Sequence, residues 1–309
     1  MQIFTRSILF SASGKRPMET ATNYPYLITT KSTNYLTSWF IQIFSIIQAL
    51  VHRASTMRIV RLPGIHHDSN VVVLIGTAGN LIIDSGTSWY QSLQIERILG
   101  VLGEEKLERI LLSNRRFPCS GGAKHISEHF SNCPVHIHKD GQASLESGDF
   151  FTTWANRFDS DMPSVETISI DDGELFILGN GQVSAISLPG HSSDSMAFHI
   201  SDKNMLIAGA LIPRADRPTR WDLPTGCLTD LVDSLRRVKS MELESIVPLQ
   251  GPAIKGKKHV KEVLNRHIDF FQICVENQGI TPKSWSRPAQ TAIWNTPSPP
   301  WPLEEREEA

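Results

Sequence analysis

The stretch ILLSNRRFPCSGGA, Ile110 to Ala123, decides how this chain is read. Its head belongs to LERILLS, an apolar run of strand length. A polar and basic loop follows, Ser113-Asn114-Arg115-Arg116, and Gly121-Gly122 then leads into GGAKHISEHF, which opens a helix.

The pattern around this loop is regular from Met57 to residue 278. NVVVLIGTAGNLIIDSG predicts two strands joined by a Gly-bearing turn and ending at Asp84-Ser85-Gly86. SWYQSLQIERILGVLG has helical spacing through Leu93, Ile95, Ile98, Leu99 and Leu102. CPVHIHK reads as a strand, GELFILGNGQVSAISLPG as a strand pair, and MAFHISDKNMLIAGALI as a hairpin around Asp202-Lys203-Asn204. LTDLVDSLRRV places Leu228, Leu231, Val232, Leu235 and Val238 on one helix face. LESIVPLQGPAI is a strand entering a turn, and GKKHVKEVLNRHIDFFQICVEN closes the region as an amphipathic helix. The order predicts an α/β fold of two mixed sheets with helices outside.

The ends differ. Residues 1–56 are acid-poor and rich in Ser and Thr, and their apolar run Ser38 to Val51 is short for a membrane span. They read as a disordered leader or as translated sequence upstream of a true start at Met57. Residues 279–309 interleave prolines with Trp285, Trp294 and Trp301 before an acidic run, and read as a passive tail.

With 309 residues the chain can bury a sizeable core. Thirty basic against 32 acidic side chains give a net charge of −2, which argues against a nucleic-acid partner. Four scattered cysteines, with no CxxC pair, fit a cytoplasmic protein.

In order, these segments resemble the metallo-β-lactamase superfamily, in particular its glyoxalase II-like hydrolases. SNVVVLI…NLIIDSG is similar to that family's opening hairpin and Asp-x-Gly corner. ILLSNRRFPCSGGA lines up with its Thr-His-x-His-x-Asp-His-x-Gly-Gly loop, and LPGHSSDS with Pro-Gly-His-(Thr/Ser)-x-Gly-Ser. MLIAGALI lines up with Leu-Phe-x-Gly-Asp-x-Leu, and VPLQGP with Pro-Gly-His-Gly-Pro. The resemblance implies an αβ/βα four-layer sandwich of two mixed β-sheets flanked by helices over 57–278.

It also implies a hydrolase that holds two metal ions on imidazoles and carboxylates. At those positions this chain has Asn114, Arg116, Pro118 and Cys119 in the loop, Ala210 for the bridging aspartate and Gln250 for the last histidine. His191 alone is kept. A guanidinium and a dication ~4 Å apart repel by roughly 8 kcal/mol at an effective dielectric of ~20. The expectation is therefore no resident metal or cofactor, the alternative being one Zn or Fe ion.

Asp84, a corner residue in the family, is expected to hold its loop. His191 has three readings: a hydrogen-bonding remnant, a ligand for one metal, or a base. Cys119 and His191 form a candidate Cys-His pair, with Arg116 expected to lower the thiol pKa. Asn114, Arg116, Asp84 and Gln250 are candidate ligand-binding residues. Arg115 and Arg116 at the helix start, and Arg214, Arg217 and Arg220 in RADRPTRWD, are candidate anion contacts. His125, His129, His136 and His138 read as surface or packing residues, and His66-His67-Asp68 is a weak feature near the mouth of the expected cleft.

The leading expectation is a small-molecule binder for an anionic ligand on a fold that has lost its metal chemistry. A thioesterase-like hydrolase with a remodelled single-metal or Cys-His site is the alternative. As to assembly, a homo-oligomer or a pairing with an active homologue is expected.

Overall fold

Val71, Val72, Val73 and Leu74 are all buried, yet they enter two different cores in alternation. Successive strand residues point to opposite faces, so a strand apolar on both faces must be covered on both. The architecture follows from that. The computed structural model describes residues 56–222 and 224–281. The expectations for the leader up to residue 55 and for the tail from residue 282 lie outside those residues.

One sheet runs in spatial order β1 (Arg58–Leu62), β2 (Val71–Ile75), β3 (Asn80–Ile83), β4 (Arg109–Leu111), β5 (Val135–His138) and β6 (Thr167–Ile170). Its first three strands pair antiparallel, and β3 to β6 pair parallel. The second sheet holds β7 (Leu175–Ile177), β8 (Gln182–Ser187), β9 (Met196–Ile200), β10 (Met205–Ile207), β11 (Ser245–Val247) and β12 (Ile254–Lys255), also in sequential order. In it only β10 and β11 pair parallel.

Three apolar layers separate four structural ones. Val71, Val73, Ile82, Ile110, Val135 and Ile137 pack beneath α1 (Gln91–Leu102), α3 (Ala123–His129) and α4 (Lys139–Glu146). Between the sheets lie Val72, Leu74, Leu81, Ile83 and Leu111 with Val183, Ala185, Phe198, Ile207 and Val247. Ile186, Ala197, Leu206 and Ile246 pack under α5 (Leu228–Ser240) and α6 (Lys257–Glu276), through Leu231, Leu235, Val238, Val263 and Phe271. The expected αβ/βα sandwich is what the chain forms.

Details depart from the sequence reading. α1 buries Gln94, Ile98 and Leu102, four residues apart, and leaves Leu93 and Leu99 at 46% and 38% exposure. β1, β6 and β12 are strands that the sequence pattern does not reveal. A short helix α2 (Phe117–Ser120), with Pro118 in its first turn, precedes the Gly-Gly turn. His136 is buried edge-on to Phe176, and His138 accepts the Asp140 N–H at the start of α4.

Candidate binding cleft

Ser113, His191, Ala210 and Gln250 all follow the carboxyl ends of strands, after β4, β8, β10 and β11. The sheets bring these ends to one edge, where a cleft of about 830 Å³ opens. Its lining includes His66, His67, Asp68, Pro118, Phe158, His191, Ala210, Arg214, Arg217, Arg220 and Gln250. Asp84, Asn114, Arg116 and Cys119 are buried behind it.

Asp84 adopts φ 62° and is fully enclosed. Its two carboxylate oxygens accept the Ser113 N–H at 2.8 Å and the Ser113 hydroxyl at 2.9 Å. Burial pushes its pKa up to about 7, against those two hydrogen bonds. Asp84 thus ties the end of β3 to the loop after β4.

Asn114 takes its partners from its own loop, the Ser113 hydroxyl among them at 3.3 Å from Nδ2. Its Oδ1 accepts the Arg116 N–H at 2.8 Å, and its Nδ2 donates to Cys119 Sγ at 3.4 Å. Cys119 is 1% exposed, and burial, with the Asp84 charge second, raises its thiol well above the ordinary value. The expected lowering by Arg116 is overturned. Desolvation outweighs one guanidinium, and Arg116 points away: it donates to the Thr152 and Pro224 carbonyls and lies 5.4 Å over the Trp154 ring. His191 has its Nδ1 2.9 Å from the Arg220 carbonyl oxygen. No hydrogen bond joins Cys119 to His191 among the described residues.

Arg115 is likewise unavailable for a ligand at the helix start. Its Nη1 donates to Asp194 Oδ1 at 2.7 Å, its backbone N–H to Asp194 Oδ2 at 2.7 Å, and its Nη2 to Thr225 Oγ1 at 2.8 Å. The two side chains are 3% and 0% exposed, so this ion pair is buried. Asp194 escaped the sequence reading, although a signal existed. It stands at the glycine of Pro-Gly-His-(Thr/Ser)-x-Gly-Ser, an acid gained opposite a loop that had gained arginines.

Gln250 spends its Nε2 on the His67 carbonyl at 2.9 Å and the Asp68 carbonyl at 3.3 Å, fastening one cleft wall to the other. Arg214 and Arg220 each pair with the aspartate two residues on, Asp216 at 3.2 Å and Asp222 at 2.9 Å. Arg217 has no such partner. It is partly buried, and desolvation with neighbouring Arg214 lowers it to about 10, so it stays cationic at neutral pH.

Two metal ions do not fit this donor set. It offers two neutral amides, a guanidinium, a proline, an alanine, a buried protonated thiol and one imidazole. Among the described residues no three His, Cys, Asp or Glu side chains are grouped to hold a metal ion.

Fold and cleft together define a metallo-β-lactamase-type sandwich. The sequence pattern of the metallo-β-lactamase superfamily matches residues 65–250, and the chain belongs to that family. It is 30% identical to a "probable metallo-hydrolase" of Methanocaldococcus jannaschii, over 60% of this chain and 87% of that protein. It is 25% identical to a lactamase-like protein of Aspergillus fumigatus, of which it spans 42%, and the match covers 50% of this chain. An acyl-coenzyme A thioesterase of Gallus gallus is 23% identical over 67% of this chain and 80% of its own length. Among solved structures, a metallo-β-lactamase family protein of Thermus thermophilus superposes with a TM-score of 0.57 at 17% identity, covering 72% of this chain and 81% of that one.

Proposed function

We propose that this protein binds a small anionic molecule in the cleft where its relatives' metal positions lie, without the two-metal chemistry those positions would serve. The observation that carries this reading is Arg217, a partly buried cation with no ion pair of its own in a cleft whose other two arginines are each matched by an aspartate. A guanidinium without a hydrogen-bonded counterion suits a monoanion such as a carboxylate. A guanidinium fork takes that group in bidentate form. Pro118, Phe158, Pro213 and Pro218 supply apolar wall for the rest of the ligand.

The test is calorimetric titration of the full chain with benzoate. Binding should be measurable in the millimolar range and fall about tenfold or more in Arg217→Gln, the scale of one charge-assisted hydrogen-bonded contact. Undiminished affinity in that variant sinks the reading.

A second reading, hydrolysis of acyl thioesters, draws on the thioesterase name carried by the Gallus gallus relative. Acyl-coenzyme A turnover by the purified chain that falls in His191→Ala would favour it over binding alone.

A further inference from the structure

The cleft carries a second specification besides charge, written in His191. Its Nδ1 lies 2.9 Å from the Arg220 carbonyl oxygen, with the Thr219 hydroxyl at 3.2 Å on the same side. A carbonyl has no proton to give, so Nδ1 carries the N–H, and Nε2 is left as a bare lone pair. No side chain or backbone group meets Nε2 among the described residues, and the ring lines the cleft. Burial, with Arg116 next, holds the imidazole down at about 3, so it stays neutral near pH 7.

Gln250, which lines the same cleft, also presents an acceptor. Gln250 has committed its amide donors to the His67 and Asp68 carbonyls, which leaves its Oε1. A plain carboxylate on Arg217 would satisfy the cation and leave this acceptor side unmatched, at a cost in binding.

We infer that the ligand carries a hydroxyl donor as well as its single anionic group, the hydroxyl proton pointing at His191 Nε2: a monoanionic hydroxy acid on an apolar frame. The inference rests on the anion reading above and is tested so that the two can fail separately. The probes are benzoate, its three monohydroxy isomers and the matching methoxy ethers, titrated into the full chain. At least one hydroxy isomer should bind about fivefold to tenfold tighter than benzoate, and its methoxy ether should lose that gain. In His191→Phe the preference should vanish, the hydroxy isomers then binding no tighter than benzoate. Independently, long-range proton–nitrogen NMR should show the Nδ1–H tautomer of His191 unchanged between pH 5 and 8.

An Nε2–H tautomer, or hydroxy isomers no tighter than benzoate, overturns this inference alone. Failure of every probe to bind overturns the anion reading, and this one with it.

Discussion

At the scale of single residues, charge has been rearranged rather than removed. Asp194 is fully buried against Arg115, so Asp194→Ala would leave a guanidinium enclosed without its counterion. A loss of roughly 3–5 kcal/mol in urea denaturation is expected, the usual result of breaking one side of a buried pair. Protons tell a related story. His191 and His267 are held at about 3 and about 4 by burial, so the unfolded chain binds more protons than the folded one between there and about 6.5. Their contribution is lost as pH falls through that window. Asp84, raised to about 7, runs the other way and loses stability as pH rises from about 4 toward 7. His136 and His199 are also held low by burial and Asp68 is also raised, so four histidines stand against two aspartates; Tm should fall from pH 6.5 to pH 4.5, and Asp84→Asn should steepen the fall. Residue identities such as Asn114, Arg116 and Gln250 are legible against the family motif, and so is the lone His191. The fate of Arg115 is not, because its partner lies seventy-nine positions away and pairing across that distance is a property of packing.

At the scale of elements, helix α5 sits directly on the turn that precedes His191. Gly190 has φ +136°, and a Cβ there would lie 2.4 Å from the Leu231 Cα. Gly190→Ala should push α5 off the Pro189–Gly190 turn, lower stability by about 2 kcal/mol or more, and weaken the preference for a hydroxy isomer over benzoate through a displaced His191. Thermal melts with parallel titrations check both effects, and an unchanged melting point would refute the contact. The amphipathic period of α5 is readable because its burial is one-sided. β6, TISI, is hidden because two of its four residues are exposed, and β1, RIVRL, because arginines interrupt it. Edge strands owe their place to a neighbour's hydrogen bonds more than to their own apolar content. Spacing locates α1 but not its buried face, since the polar Gln94 takes the place of the leucines that spacing favours.

At the scale of the whole molecule, both sheets and all three apolar layers are implied by strands apolar on two faces, and the family resemblance supplies their order. The described residues contain no helix long and apolar enough to cross a membrane. In a sandwich of this kind the loops after β4 and β8 must be held together at the open edge, and here Arg115 and Asp194 do it. Excess EDTA or added zinc should therefore shift Tm by less than about 1 °C, where a protein stapled by metal would change by far more. A rise of several degrees with stoichiometric zinc would show the donor set to have been misjudged. The same ion pair also bears on how the open edge assembles. Both halves of this tie are encoded in the chain, so it forms as the two loops fold against each other, and any change in one half strands the other inside the protein.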